Sequence, residues 1–241
     1  MCTVIITVPD DDTQPVRLLA VRDEDPGRPW DRLGAWWPDL YPGVVGIRDV
    51  RAGGAWLAAN PDQRRLAVLL NRHDLSDRRD DEVHTRGSVA LDSVVGRSPV
   101  DHPTTRGFNL SEVTAHTARV VAWNGLVSTT VELSPGTHMI AHDDVDDPET
   151  ARITRWLPDF RGASEVFTPD EPEWWGRWLE IVERSAELAG DDEAAIIRRQ
   201  SFEGIPSYSL VICVATIGEG ALDVRDTPLT TPGRWTPEPL G

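Results

Sequence analysis

Three times within the first 133 residues, a short apolar or β-branched run is followed by a turn-forming segment and then by a second such run. Residues 3–8 (Thr-Val-Ile-Ile-Thr-Val), the Asp- and Pro-rich stretch 9–15 and residues 16–21 predict one hairpin. Gly53 to Ala59 and Leu66 to Leu70, joined across Asn60-Pro61-Asp62, predict a second. Arg119 to Trp123 and Leu126 to Leu133 flank Asn124-Gly125, the strongest hairpin signal in the chain. Connections shorter than about a dozen residues cannot cross over to a parallel partner, so these strands pair antiparallel.

Helical text comes mainly late. Ser88 to Val95 predicts a short helix ending at Gly96. Asp147-Pro148 reads as an N-cap followed by Pro at the first helical position, with a helix to Leu157 stopped by Pro158. Pro172 to Leu188 is the clearest helix, because Trp175, Trp178, Leu179, Val182 and Ala186 recur at helical spacing. Asp191 is expected to cap another, to about Gln200, before a strand at Ser209 to Thr216. Asp23 to Pro42 reads as an irregular loop, and residues 75–85 as an exposed link. Gly107-Phe108-Asn109-Leu110 predicts a further strand. Together these give an α+β domain with antiparallel sheets. One domain over 1–241 is expected, with 225–241 an irregular tail.

The charge balance removes one class of partner. There are 40 acidic residues against 24 basic, a net charge of −16, and every basic residue is Arg. A phosphate backbone is repelled by such a surface, so no nucleic-acid partner is expected. No apolar run approaches the ~18 residues of a membrane span, and the N-terminus lacks a secretory pattern. A soluble, cytoplasmic protein acting on a small molecule is the expectation. Two cysteines, Cys2 and Cys213, make neither a disulfide scaffold nor a cysteine metal site. His138 and His142 are four apart, but they follow Pro135-Gly136 in strand-and-loop text, so no metal site is expected. The acidic clusters Asp10 to Asp12 and Asp143 to Asp147 lack calcium-loop spacing and read as solvated turns. No Gly-rich phosphate loop is present, and no cofactor is expected.

Cys2 carries the most chemistry. Once Met1 is removed, the chain begins with a residue holding both a thiol and an α-amine. The amine has a reference pKa of about 7.7–8.0, so part of it is a free base at neutral pH. It can activate the neighbouring thiol as a nucleophile. The first hairpin also places Cys2 and Arg22 at one end. Cys213, in an apolar run, reads as a buried core thiol. Trp36 and Trp37 fall in a loop, where they pack or line an apolar pocket.

The order of several motifs resembles one family. They are Met1-Cys2-Thr3, Leu19-Ala20-Val21-Arg22-Asp23-Glu24, Gly53-Gly54-Ala55-Trp56-Leu57, Asn71, Arg86-Gly87, Gly107-Phe108-Asn109-Leu110 and Leu133-Ser134-Pro135-Gly136-Thr137. This series resembles the NRDE family, that of the transport and Golgi organisation protein, over roughly residues 1–150. The resemblance implies a cysteine-type N-terminal nucleophile hydrolase and a four-layer αββα sandwich. It implies Cys2 as nucleophile on an amide carbonyl, with Arg22 beside the thiolate, Asp23 holding the α-amine and Asn71 donating to the oxyanion. The alternative it leaves is a binding or trafficking protein for haem or an acyl lipid.

The chain departs from the family pattern. Val21 replaces the family's Asn, and His142 stands where a second Asn is implied. Gly204-Ile205-Pro206 stands where Gly-Thr-Arg is implied, which removes one arginine from the implied site. The related acylases space their acidic residue three beyond the arginine, which points to Asp25 rather than Asp23.

Overall fold

A computed structural model describes residues 2–11, 13–97, 102–168, 171–202 and 204–241 of the chain. Met1, whose removal the N-terminal cysteine reading requires, lies outside the described residues, as does Asp12. The first predicted hairpin is β1 (Thr3–Val8) with β2 (Val16–Glu24), and the second is β5 (Gly54–Asn60) with β6 (Arg65–Asn71). The third is β8 (Ala118–Trp123) with β9 (Ser128–Glu132). Its turn forms as the Asn-Gly pair predicts, with the Asn124 side-chain oxygen accepting from the backbone N–H of Leu126 and Val127.

The remaining strands complete two sheets. One runs β10 (Gly136–Ile140), β1, β2, β12 (Ile205–Ile217), β11 (Arg199–Phe202), with β13 (Leu222–Pro228) also on β12. The other runs β3 (Trp30–Gly34), β4 (Val45–Asp49), β5, β6, β7 (Phe108–Val113), β8, β9. Every strand pairing within both sheets is antiparallel.

Side-chain alternation along each strand distributes the core. Cys2, Val4, Ile6, Leu18 and Ala20 point into an apolar layer shared with Trp56, Leu57, Val68 and Val120 of the second sheet. Ile5, Leu19 and Val21, on the opposite face, meet Ile153, Trp156 and Phe160 of α2 (Ala151–Ser164) and Trp178 and Val182 of α3 (Trp175–Ser185). The second sheet's other face carries α1 (Val89–Val94) over Ala58, Ala67 and Leu110. The protein is therefore α+β with antiparallel sheets.

Four local expectations are corrected. The 23–42 stretch contains β3, which pairs with β4 because its chain returns alongside Arg48 and Asp49. Helix α2 starts at Ala151 and runs through Pro158 to Ser164. Pro158 lies on the exposed face, while Ile153, Trp156, Leu157 and Phe160 are buried on the other. Burying that stripe outweighs the ~3 kcal/mol that an interior proline costs. No helix forms over 191–200. There the backbone is taken by distant partners, Ile196 N–H donating to Ser185 Oγ and Arg198 N–H to Ser209 Oγ. Finally, residues 225–228 pair with β12 as part of β13, so the irregular segment is shorter than expected.

Candidate functional site

The β1–β2 register sets Thr3 against Val21, so Cys2 falls opposite Arg22 and both face the layer between the sheets. Cys2 Sγ sits 3.4 Å from the backbone N of Asp23, which donates to it, and 3.6 Å from the Asp23 carbonyl, to which the thiol donates. It borders a cavity of about 20 Å³ walled by Val4, Ile47, Trp56, Leu69 and Cys213. A space of that size holds about one water. Cys2 is only 6% exposed, so its sulfur is open to an outside molecule only when the walls move.

Arg22 is held from three directions. It donates from Nη1 to the Leu69 carbonyl at 3.2 Å and from Nη2 to Glu24 Oε2 at 2.7 Å. Its guanidinium carbon lies 4.5 Å from the centre of the Trp56 ring. Burial disfavours the charge, but Cys2, Glu24 and Asp49 outweigh it, and Arg22 keeps its proton more firmly than a free arginine. Trp56 is itself fixed, its indole N–H donating to Asp49 Oδ2 at 3.2 Å. Arg28 holds Asp49 in turn, at 2.8 Å. Although burial pushes against it, the hydrogen bonds from Arg28, Ala52 and Trp56 keep the Asp49 carboxyl below its usual value.

Asp23 points to the opposite face of the sheet, towards the helices. It accepts from Ser209 Oγ at 2.6 Å, and it is 4% exposed. Arg152 from α2 and Arg198 from the segment before β11 lie within its field. Arg152 also donates to Thr3 Oγ1 at 3.0 Å. Burial lowers both arginines, Arg152 to about 10, against the pull of Asp23. The Cys2 α-nitrogen belongs to the backbone between these two faces, with the thiol on one side and the Asp23 carboxylate on the other. Asp25 is placed differently. Its carboxylate accepts from Gly27 N–H at 2.8 Å and closes a turn.

Asn71 ends β6 with its side chain exposed, two residues beyond the Leu69 carbonyl that holds Arg22. Its side chain makes no hydrogen bond among the described residues, while its backbone lies in the β6–β7 ladder opposite Phe108. The buried asparagine of this region is Asn109, which donates to the Ala141 and Asp143 carbonyls at 3.2 and 2.8 Å. It ties β7 to the loop before α2. His142, in the position where an Asn is implied, lies 3.0 Å from Asp143 and is held below its ordinary value, chiefly by burial.

Sequence reasoning missed Ser209, Arg152 and Arg198, which come from β12, α2 and a buried loop. Pro206 stands where an arginine is implied, and two other arginines, Arg152 and Arg198, are brought near Asp23 by the tertiary fold. It also missed the reason for two glycine motifs. A Cβ on Gly54 would fall 2.1 Å from Gly87, and Ala55 N–H donates to the Gly87 carbonyl. The backbone crosses there at a distance only glycine permits. The tryptophan pair is packing. Trp37 is buried and donates to the Gly53 carbonyl, while Trp36 carries Arg48 over its ring at 4.7 Å. Cys213 is buried against the cavity floor, and burial pushes its thiol far up.

A family model described as Transport and Golgi organisation 2 matches residues 1–168. The chain belongs to the Transport and Golgi organisation 2 family. This is the NRDE family that the order of motifs resembles, and the match takes in Cys2, Arg22, Asp23, Asn71 and Arg152. Ser209 and Arg198 lie outside the matched part of the family's model. No curated protein matches the chain. No helix among the described residues is long and apolar enough to cross a membrane.

Proposed function

We propose that this family member is a cysteine N-terminal nucleophile hydrolase acting on the carbon–nitrogen bond of a small-molecule amide. One domain of αββα type over 1–241 would carry the site. The observation that carries the reading is the arrangement around residue 2: a thiol opposite Arg22, with the Asp23 N–H on its sulfur and the Asp23 carboxylate on the other face.

After removal of Met1, the free amine of Cys2 takes the thiol proton and Sγ attacks the amide carbonyl. Negative charge passes from sulfur to oxygen in the tetrahedral intermediate, near the Arg22 guanidinium. The Asn71 amide, at the rim, is the side chain assigned to the oxyanion. The ammonium returns its proton to the leaving nitrogen, the C–N bond breaks, and a thioester remains. Water, deprotonated by the same amine, then releases the acid and restores the thiol. Asp23, with Ser209, keeps the ammonium form oriented. The alternative, non-catalytic binding of haem or an acyl lipid, draws no support from a cavity of about 20 Å³.

Mass spectrometry after a short pulse of a small thiol-directed electrophile tests the reading. The expected result is a chain lacking Met1 and labelled at Cys2, with Cys213 unlabelled. Small reagents should label faster than bulky ones. A retained Met1, or equal labelling of the two cysteines, would refute it. Cys2→Ala should then abolish hydrolysis of any amide the native chain cleaves.

A further inference from the structure

The second sheet ends on an edge that the chain itself leaves open. Among the described residues β9 pairs only with β8, and all five of its residues are exposed. Asn124 N–H donates to the Val127 carbonyl, and Leu133 N–H to the Ala118 carbonyl. Bonding alternates along an antiparallel pair, so Val127, Thr129, Val131 and Leu133 are the residues that bond to β8. Ser128, Thr130 and Glu132 therefore turn their N–H and C=O groups outward. None of these groups finds a partner among the described residues.

The other sheet edges are met by the chain's own groups. On β10, Met139 N–H donates to Asp146 Oδ1 at 2.7 Å, and the Thr137 carbonyl accepts from Arg161 at 3.0 Å. On β13, Asp226 and Gly241 exchange backbone bonds, and on β11, Arg199 N–H donates to the Gly190 carbonyl. On β3, the Arg32 carbonyl accepts from the Trp36 indole at 2.9 Å, and the Arg32 side chain holds Asp226. An unguarded edge is a template for another strand, and charge, proline or a bulge normally guards it. β9 has no proline and no bulge, and its sole charge is Glu132 at one end.

The charge pattern selects the occupant. Residues 120–131 carry no charged side chain, on a chain whose net charge is −16. Two copies can approach there without setting like charges together. The ionised groups nearby are engaged within the chain. Glu132 lies 3.9 Å from Arg119, and Asp74, behind the Asn124-Gly125 turn, is taken up by Ser76 and by Gly107 N–H.

We propose that β9 pairs antiparallel with β9 of a second copy of this chain, about a two-fold axis through Thr130. Thr130 then meets Thr130, each Ser128 meets the other copy's Glu132, and every outward N–H and C=O of β9 is paired. The two Glu132 carboxylates stand roughly 13 Å apart along the strands, beyond the ~8 Å screening length. On the reverse face each Val131, 47% exposed in the single chain, is covered by the other copy's Thr129. A two-fold contact closes on itself, so the assembly stops at a dimer.

Sedimentation velocity from about 1 to 300 µM chain, in about 0.3 M salt to screen two like-charged copies, tests this. One strand pair makes a small contact, so a dimer that dissociates in the micromolar range is expected. Hydrogen exchange in β9 should slow as the dimer fills, while that in β10 and β13 stays constant. Thr130→Pro removes an N–H that bonds to nothing within the chain, so it should give a monomer with an unchanged unfolding midpoint. Ser128→Arg sets a cation against the second copy's Glu132 and should tighten the dimer about fivefold, and Ser128→Glu should weaken it by as much. Gln63→Arg, the same charge change on the β5–β6 turn, should leave it unmoved. A monomer at every concentration would overturn the proposal and leave the edge to a strand of another protein. A dimer indifferent to Thr130→Pro and to both Ser128 variants, or growth beyond a dimer, would overturn it as well.

Discussion

Ser209→Ala isolates the contribution of the network behind Asp23. Ser209 is fully buried, and its Oγ does two things at once. It accepts from Arg198 N–H at 2.8 Å and donates to Asp23 Oδ1 at 2.6 Å. Removing it takes a donor from a buried carboxylate, ~1.5–3 kcal/mol for a hydrogen bond to a charged group. It also orphans a buried backbone N–H, roughly 1–3 kcal/mol more. Because the two losses are not additive, about 3 kcal/mol is expected in urea unfolding. In a chain of this size that is a fall in Tm of roughly 6–12 °C. Ser185 supplies the control. It is equally buried and accepts from Ile196 N–H at 2.6 Å, with no carboxylate in its bonds. Ser185→Ala should therefore cost about 1 kcal/mol less than Ser209→Ala. In an Asp23→Asn background that difference should shrink, because the charge assistance has gone. If Ser209→Ala costs no more than Ser185→Ala, the Asp23 carboxylate is not held by this hydroxyl and the reasoning fails.

Other perturbations follow from the same geometry. His138 lies 2.8 Å from both Asp146 Oδ2 and the Ser134 carbonyl, and only the doubly protonated ring can donate to both. The hydrogen bond to Asp146 raises its pKa in the folded chain. A raised folded value means this stabilisation is complete below the unfolded value of about 6.5 and is lost as pH rises through the folded value. Unfolding curves across that range should show the native chain losing its advantage over His138→Gln on the alkaline side; a constant gap would contradict the assignment. Gly54→Ala should destabilise by more than about 2 kcal/mol in urea unfolding, since its Cβ meets Gly87 backbone at 2.1 Å; an unchanged midpoint would contradict the close crossing. Pro158→Ala should stabilise by about 1–2 kcal/mol, because the helix regains an N–H donor on its exposed face. A neutral or lower Tm would refute that account of α2.

The hairpins were legible because each rests on residues near in sequence. A β-branched run, a turn and a second run determine an antiparallel pair whatever the rest of the chain does, and they place Cys2 across from Arg22. The family motifs were legible for the same reason. The segment 191–200 was not, because its backbone bonds go to Ser185 and Ser209 rather than to itself. Local propensity cannot see a partner that arrives from another layer. Pro158 misled for a related reason, its cost being outweighed by burial against a sheet whose strands lie both before and after it in the chain.

By itself, then, the sequence determined three antiparallel hairpins and the placement of Cys2 across from Arg22. Only the tertiary structure decided that Asp23 is backed by Ser209, Arg152 and Arg198, and that Asn109, not Asn71, is buried against the loop before α2. The physical reason is range. Hairpin pairing is set by neighbours a few residues away, whereas the β1–β10 and β2–β12 pairings and the buried charge cluster are assembled by distant segments.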